Sequence, residues 1–313
     1  MYQKTEYIIE THNLTKRYGN VLAVHDLSLK IKRSSCFALL GPNGAGKTTT
    51  ILMLLGLIKP SKGEISILGK NNQKNSCIPS FNVGYLPENV GFYPDLTGRK
   101  HLELIIRLKM KKSNVKKEVE SLLKWSNLNE KYWNKKTKTY SRGMLQRLGI
   151  AQAFAGNPQI VILDEPLASI DPLGREDFID KFRIKNAQGI TIIIASHIIP
   201  DVEELSDSLA ILDNGNLKIF GEILSMAKSY GFDEYEIIQI KNNSSMRINE
   251  LNDALDSIKD ILKEPPNLLS DRIIVKSENP EEIKKFLGNF KNFKLRPIYG
   301  TLKKIYRKII LGE

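Results

Sequence analysis

The chain has 313 residues, of which 41% are hydrophobic and 26% charged, with a formal net charge of +12. That length and apolar content suit one large domain or two. No apolar run approaches the roughly 20 residues that cross a bilayer, which excludes a membrane-spanning chain. The longest apolar candidates, Phe37–Leu40, Ile51–Ile58 and Ile190–Ala195, have the size of buried strands or helix faces.

In chain order, Ile8–Leu14 and Leu27–Ile31 alternate or cluster apolar residues between polar turns and predict antiparallel strands. Phe37–Leu40 is a short apolar run ending at Gly41, and Lys47–Ile58 continues as an apolar helix. Ile65–Leu68 and Val83–Leu86 read as further strands. Leu102–Leu128 has helical periodicity in a basic setting, and Gly143–Ala155 is helical up to Asn157-Pro158. Ile160–Leu163 and Ile190–Ala195 are wholly apolar, as central parallel strands covered on both faces are. Ile211–Leu212 and Leu217–Phe220 flank Asp213-Asn214-Gly215, a hairpin signal. After about Ile223 the character changes: strands at Glu236–Ile240 and Arg272–Lys276, helices at Asn249–Leu262, Pro280–Phe286 and Thr301–Ile310. Residues 225–313 are therefore expected to form a small α/β domain after a larger one spanning 1–224.

The start, Met1-Tyr2-Gln3-Lys4-Thr5-Glu6, lacks the basic-then-apolar layout of a secretory signal, so a cytoplasmic protein is expected. Cys36 and Cys77 make neither a disulfide framework nor a metal site. Cys36 opens an apolar strand and reads as a buried thiol. The positive charge is concentrated. Arg99–Arg147 holds fifteen lysines and arginines against four carboxylates, and Lys291–Glu313 seven against one. Such tracts can face an anionic leaflet or a nucleic acid, or simply be solvated helical faces. Aromatic interleaving and nucleic-acid-reading motifs are missing, so no nucleic-acid partner is expected.

Gly41-Pro42-Asn43-Gly44-Ala45-Gly46-Lys47-Thr48 fits G-x-x-x-x-G-K-[ST] and lies between a strand and a helix, the context a phosphate loop requires. Its glycines let backbone N–H groups turn inward around a β-phosphate at a helix N-terminus. Lys47 reaches the β- and γ-phosphates, the Thr48 hydroxyl coordinates Mg²⁺, and Thr49 is placed for the α-phosphate. The strand at Ile160 ends in Asp164-Glu165, two carboxylates at the end of a parallel strand where open α/β sheets bind ligands. Asp164 suits the Mg²⁺ shell, leaving Glu165 to orient or deprotonate an attacking water.

Between these two motifs lies Tyr140-Ser141-Arg142-Gly143-Met144-Leu145-Gln146-Arg147, a Ser-x-Gly turn running into a helix. With this segment in register with the phosphate loop and the Asp-Glu strand, residues 7–224 resemble the ABC (ATP-binding cassette) ATPases. The resemblance implies a P-loop α/β fold: a RecA-like core, an antiparallel β subdomain, and a helical signature subdomain at about residues 95–155. The small C-terminal α/β domain would follow. Further positions carry over from it. Tyr18 resembles the aromatic that stacks on adenine, its alternative being an ordinary surface tyrosine. His197 resembles the switch histidine at the γ-phosphate, Asp171 the D-loop aspartate at a dimer seam, and Ser141 and Gly143 the signature donors to an ATP held by a second subunit.

The chain departs from the family pattern at Glu88, where a glutamine is usual. It departs also at Tyr140, Arg142 and Met144 of the signature, and at Ala168 and Ser169 of the D-loop. Glu88 keeps a metal-binding oxygen and loses an amide donor. Glu88 and the Tyr-Ser-Arg-Gly-Met pattern are similar to ATPase subunits of prokaryotic type-2 exporters. Tyr85–Asn89 through Phe92-Tyr93-Pro94 is similar to those associated with copper-enzyme maturation. The resemblance implies a homodimer around two ATPs with Mg²⁺, powering a separately encoded permease from the inner face of the cell membrane. The alternative is a soluble ABC ATPase acting on ribosomes or nucleic acid, which usually needs tandem cassettes or a long coiled coil. The C-terminal domain reads either as a regulatory or ligand-sensing module or as a dimer-stabilising or core-capping extension. Its ending Tyr299–Tyr306 resembles that of type-2 exporter ATPases.

Overall fold

The computed structural model describes residues 6–71, 82–109, 114–239, 255, 258–269, 272–288 and 293–312. Strands β1 (Tyr7–Tyr18) and β2 (Val21–Lys32) pair antiparallel. Both are longer than the alternation predicts because bulges interrupt it. Register shifts fall between Thr11 and Leu14 and again before Lys16 and Arg17, with Asn13 and Asp26 left-handed at φ 50 and 51. Each extra residue flips the inward face, so a period of two cannot be followed through it.

Next come β3 (Cys36–Leu40), α1 (Lys47–Leu54), β4 (Lys62–Ile67), β5 (Lys70–Asn71) and β6 (Val83–Leu86). Helix α1 stops four residues short of the expected Ile58, since Gly56 turns left-handed at φ 70. The basic segment folds as α2 (Gly98–Lys109), α3 (Val115–Trp125) and α4 (Glu130–Trp133), followed by α5 (Arg142–Ala153). The single span expected over Leu102–Leu128 is thus two helices. The chain returns through β7 (Ile160–Asp164), α6 (Pro172–Ala187), β8 (Thr191–Ser196) and α7 (Ile199–Leu205). Then follow β9 (Ser208–Asp213), β10 (Asn216–Glu222) and α8 (Ile223–Ser229). The C-terminal portion holds β11 (Glu234–Gln239), β12 (Asn267–Leu268), β13 (Arg272–Lys276), α9 (Pro280–Leu287), β14 (Phe293–Pro297) and α10 (Thr301–Leu311).

Ten strands form one sheet in the order β5-β4-β1-β2-β10-β9-β3-β8-β7-β6. The portion β9-β3-β8-β7-β6 is parallel, and every residue of β3, β7 and β8 is buried, as both faces of the sheet are covered. One face packs on the signature helices and α6 through Leu102, Leu123, Leu148, Phe178 and Phe182. The other packs on α1 and the antiparallel strands through Leu14, Leu27, Ile51 and Leu54. The β9–β10 hairpin turns on Asn214 and Gly215, both left-handed (φ 48 and 77), as the Asn-Gly pair requires. No helix among the described residues is long and apolar enough to cross a membrane.

A second sheet, β12-β13-β11-β14, is antiparallel. Its apolar residues Tyr235, Ile273 and Leu295, with Leu302 of α10, join one cluster with Leu40, Leu209 and Ile211 of the large sheet and Val202 of α7. The break expected between residues 224 and 225 falls inside α8. Strand β14 and α8 carried no sequence expectation. The helix expected at Asn249–Leu262 lies mostly outside the described residues, which show a 3-10 turn at Lys259–Ile261.

Cys36 is 2% exposed, and burial first, then the nearby Asp207 carboxylate, pushes its thiol up to about 12. Only the thiolate is a good nucleophile. Iodoacetamide at pH 8 should therefore leave Cys36 unmodified in the native protein and alkylate it after denaturation. Peptide mass spectrometry reads the outcome, and native alkylation at the rate of a free thiol would contradict the burial.

Candidate active site

The phosphate loop crosses from β3 into α1. Its last glycine, Gly46, caps α1 at φ 102, and α1 has no side-chain cap, so its first N–H groups remain for another acceptor. Glycine is required here for room as well as conformation. A Cβ on Gly46 would run into the Ala23 carbonyl of β2, and one on Gly41 into the Leu212 carbonyl of β9. Ala45 is buried, and its carbonyl accepts the Gly215 N–H (3.2 Å), which ties the loop to the β9–β10 hairpin. Pro42, Asn43, Gly44 and Thr48 are exposed at the rim, and Thr49 is half-buried.

Lys47 is 5% exposed and folds back over the loop, donating to the carbonyls of Gly41 (2.8 Å) and Pro42 (3.1 Å). Its Nζ lies 3.8 Å from Glu165 Oε1. Burial lowers the ammonium's pKa, while Glu165, Asp164 and Glu88 pull it back up. The Thr48 hydroxyl donates to Asp164 Oδ2 at 2.8 Å. Asp164 Oδ1 is buried and has no hydrogen-bond partner. Burial is the main cause that raises Asp164 to about 6; Glu88 and Glu165 add to it and the Thr48 hydrogen bond opposes it.

A hydroxyl, an orphaned carboxylate oxygen and an excess of nearby negative charge fit a hard divalent cation. Among the described residues no group of three or more His, Cys, Asp and Glu forms a protein cage for one. That donor set suits Mg²⁺, which takes one or two carboxylates and completes its shell with water and phosphate oxygens. Glu88 is exposed just beyond β6, and its charge is felt at both Lys47 and Asp164.

Glu165 is 7% exposed and left-handed at φ 48, a conformation rare outside glycine. Its N–H is anchored on the Ala195 carbonyl of β8 (2.9 Å). One carboxylate oxygen lies 2.7 Å from His197 Nδ1, and the other accepts the Ser196 hydroxyl at 3.4 Å. Lys47, Thr48, Asp164, Glu165 and His197 thus meet at the C-terminal ends of β3, β7 and β8.

Ser141, Gly143 and Asp171 form a second group. Ser141 caps α5, its Oγ accepting the Met144 N–H at 3.3 Å, and both Ser141 and Arg142 are exposed. Asp171 caps α6, accepting from Gly174 N (2.9 Å) and Arg147 Nη2 (2.8 Å). A Cβ on Gly143 would lie 3.1 Å from the Ser169 carbonyl, so the signature and the D-loop abut. Among the described residues no hydrogen bond or ion pair joins Ser141 or Gly143 to the phosphate loop. The atypical Tyr140 is a core residue, 8% exposed, its hydroxyl donating to Tyr132 O at 2.7 Å. Met144 packs partly buried against the same core. Tyr18 ends β1 at 47% exposure with the Lys16 ammonium 4.9 Å from its ring centroid.

Two contributors carried no sequence expectation. One is Ser196, described above. The other is Gln146, 5% exposed, whose amide donates to Pro166 O (2.8 Å) and Glu165 O (3.3 Å). A signal for Gln146 existed: it lies four residues before buried Ile150, a polar residue on the apolar face of α5. Gln146→Leu would leave two buried carbonyls without that donor, and should lower stability by about 1–3 kcal/mol in urea unfolding of the nucleotide-free protein. An unchanged midpoint would mean other groups satisfy them.

The ABC transporter family profile matches residues 24–168. The bacitracin transport ATP-binding protein BcrA of Enterococcus faecalis is 38% identical over 217 residues, covering 68% of this chain and 68% of that protein. The Nod factor export ATP-binding protein I of Ralstonia nicotianae is 34% identical over 209 residues, 66% of this chain and 65% of that one. Among solved structures, the dimeric post-hydrolysis state of the ATP-binding cassette MJ0796 bound to ADP and Pi superposes with a TM-score of 0.62 at 25% identity. It covers 68% of this chain and 98% of the cassette. With a phosphate loop, paired carboxylates and a capped signature helix on one α/β sheet, the chain belongs to the ABC transporter ATP-binding proteins and hydrolyses ATP.

Proposed function

We propose that two copies of the chain close head to tail over two ATP molecules and drive a separately encoded membrane permease that exports its cargo. The observation that carries this reading is the separation of the two groups. Ser141, Arg142 and the N-terminus of α5 face solvent without contacting their own phosphate loop. A helix N-terminus with an exposed cap suits an anion brought by a partner, and a two-fold dimer would supply one at each site.

In each site Lys47 would leave the Gly41 and Pro42 carbonyls for the β- and γ-phosphates. Thr48 and Asp164 would hold Mg²⁺, with Glu88 at its outer shell, and the ion would offset phosphate charge. Glu165, gripped by His197 and Ser196, is placed to take a proton from the attacking water. His197, 46% exposed, would reach the γ-phosphate. Tyr18 would stack on adenine with its free face, and Asp171 would line the seam beside the partner's phosphate loop.

The export reading rests on Glu88, the Tyr-Ser-Arg-Gly-Met signature and the likeness to bacitracin transport and Nod factor export proteins. The exposed lysines of α2 to α4, among them Lys100, Lys116, Lys117 and Lys131, suit the permease side and an anionic inner leaflet. Residues 225–313 would form an accessory domain of the cassette.

Size-exclusion chromatography tests the dimer. Glu165→Gln protein with ATP should elute at twice the mass seen with ADP. Adding Ser141→Arg should return it to the monomer position while each monomer still binds nucleotide. A dimer that survives Ser141→Arg would place the signature outside the second site.

A further inference from the structure

Helix α7 starts directly after the switch residue, with Ile198 as its N-cap, and carries three carboxylates, held between α6 and the C-terminal portion. Asp201 faces Arg175 of α6 at 3.8 Å, and Arg175 in turn donates to Leu167 O in the loop after Glu165 (3.2 Å). The other two look toward the C-terminal portion. Glu203, 3% exposed, accepts the N–H of Gly300 (2.8 Å) on one oxygen and that of Leu302 (2.6 Å) on the other. Helix α10 has no cap of its own: Gly300 stands at its N-cap with φ 92. A carboxylate 97 residues earlier in the chain therefore supplies the cap and meets the helix dipole.

Glu204 is paired with Arg183 of α6 (3.4 Å) and lies 3.9 Å from Arg296 of β14. Lys294, also of β14, donates to Leu205 O (3.1 Å) and pairs with Asp207 (2.8 Å). So the far end of α7 is gripped by the C-terminal portion at three points, and its near end leads into Ser196 and His197, which hold Glu165. Burial alone would dock the two sheets. The three hydrogen bonds among these contacts, from Gly300, Leu302 and Lys294, fall on a helix that leaves the nucleotide site and are more than docking requires.

We propose that Glu203 is a positioning residue for the nucleotide site. Clamped by the N-terminus of α10, it fixes α7 and through it the His197 side chain. The C-terminal portion thereby sets how well the site senses a γ-phosphate. The inference rests on the reading of His197 as the group that meets that phosphate.

The test compares full-length wild type with Glu203→Gln and His197→Ala, measuring affinities for ADP and for the non-hydrolysable adenylyl-imidodiphosphate. Glutamine keeps the shape and one acceptor but turns an amide N–H toward a backbone N–H. Both variants should lose preference for the triphosphate by about three- to tenfold, the worth of one misplaced hydrogen bond, with ADP affinity kept within about twofold. A change in His197→Ala with none in Glu203→Gln overturns the inference alone. No change in His197→Ala overturns the reading of His197 and the inference with it. An equal fall for both nucleotides in Glu203→Gln is a merely structural effect and also overturns it. Should Glu203→Gln not fold, Glu204→Gln releases the same helix from Arg183 and Arg296 at a more exposed position, with the same expected split.

Discussion

Glu165→Gln protein should bind ATP and fail to turn it over, with phosphate release slowed by about 10²- to 10⁴-fold, the range a general base contributes. The substitution is isosteric, and its amide oxygen can still accept from Ser196 or His197, so the left-handed turn at Glu165 and its anchor on Ala195 should survive. What is lost is a carboxylate able to take the proton from water. Lys47 also loses a negative neighbour 3.8 Å away, which frees it to settle on phosphate. Hydrolysis within a few-fold of wild type would remove Glu165 from the role of base and leave it as a scaffold for His197.

Gly84→Ala should be the most damaging small substitution to stability. Gly84 lies in β6 directly beneath α5, and a Cβ there would occupy the space of the Ala153 carbonyl. The neighbour is backbone near the end of a helix, so no side-chain rotation relieves the clash. Either β6 shifts at the sheet edge or α5 rides outward. Overpacking of this kind costs about 3 kcal/mol. For a chain of this size that corresponds to a fall of roughly 4–6 °C in Tm. The damage should also reach function, because β6 leads to Glu88 and α5 carries Gln146 and the Ser141 cap. A Tm within a degree of wild type would mean that α5 sits more loosely on β6 than the close approach implies.

The sequence made the catalytic pole legible because its chemistry is local. The phosphate loop, the Asp-Glu strand and the Asn214-Gly215 hairpin each lie within a few consecutive residues, and each needs a particular backbone that few residue types allow. Long-range arrangements were harder to read. The lengths of β1 and β2 were hidden by bulges at Asn13 and Asp26, which break the alternation without weakening the pairing. Gly56 offered a stop for α1 that the apolar run through Ile58 outweighed. Tyr140 looked like a departure in a nucleotide motif and is a packing residue bonded to Tyr132. The basic C-terminal tract looked like a solvated or membrane-facing surface. Yet Lys294 and Arg296 turn inward, to Asp207 and Glu236. Partners from distant segments decide such cases, and no spacing rule announces them.

Helix α10 is completed by Glu203, a residue of the cassette. That borrowing bears on modularity. A fragment ending at residue 224 would keep every nucleotide-binding motif and yet lose the partners of Glu203, bare Leu40, Leu209 and Ile211, and cut α8 near its start. The last twelve described residues are equally dependent, since their helix begins on a carboxylate they do not own. The stretch that matches ABC relatives, 68% of the chain for BcrA, is therefore not self-contained here: it lends Glu203 to the tail helix and takes apolar cover from the tail in return.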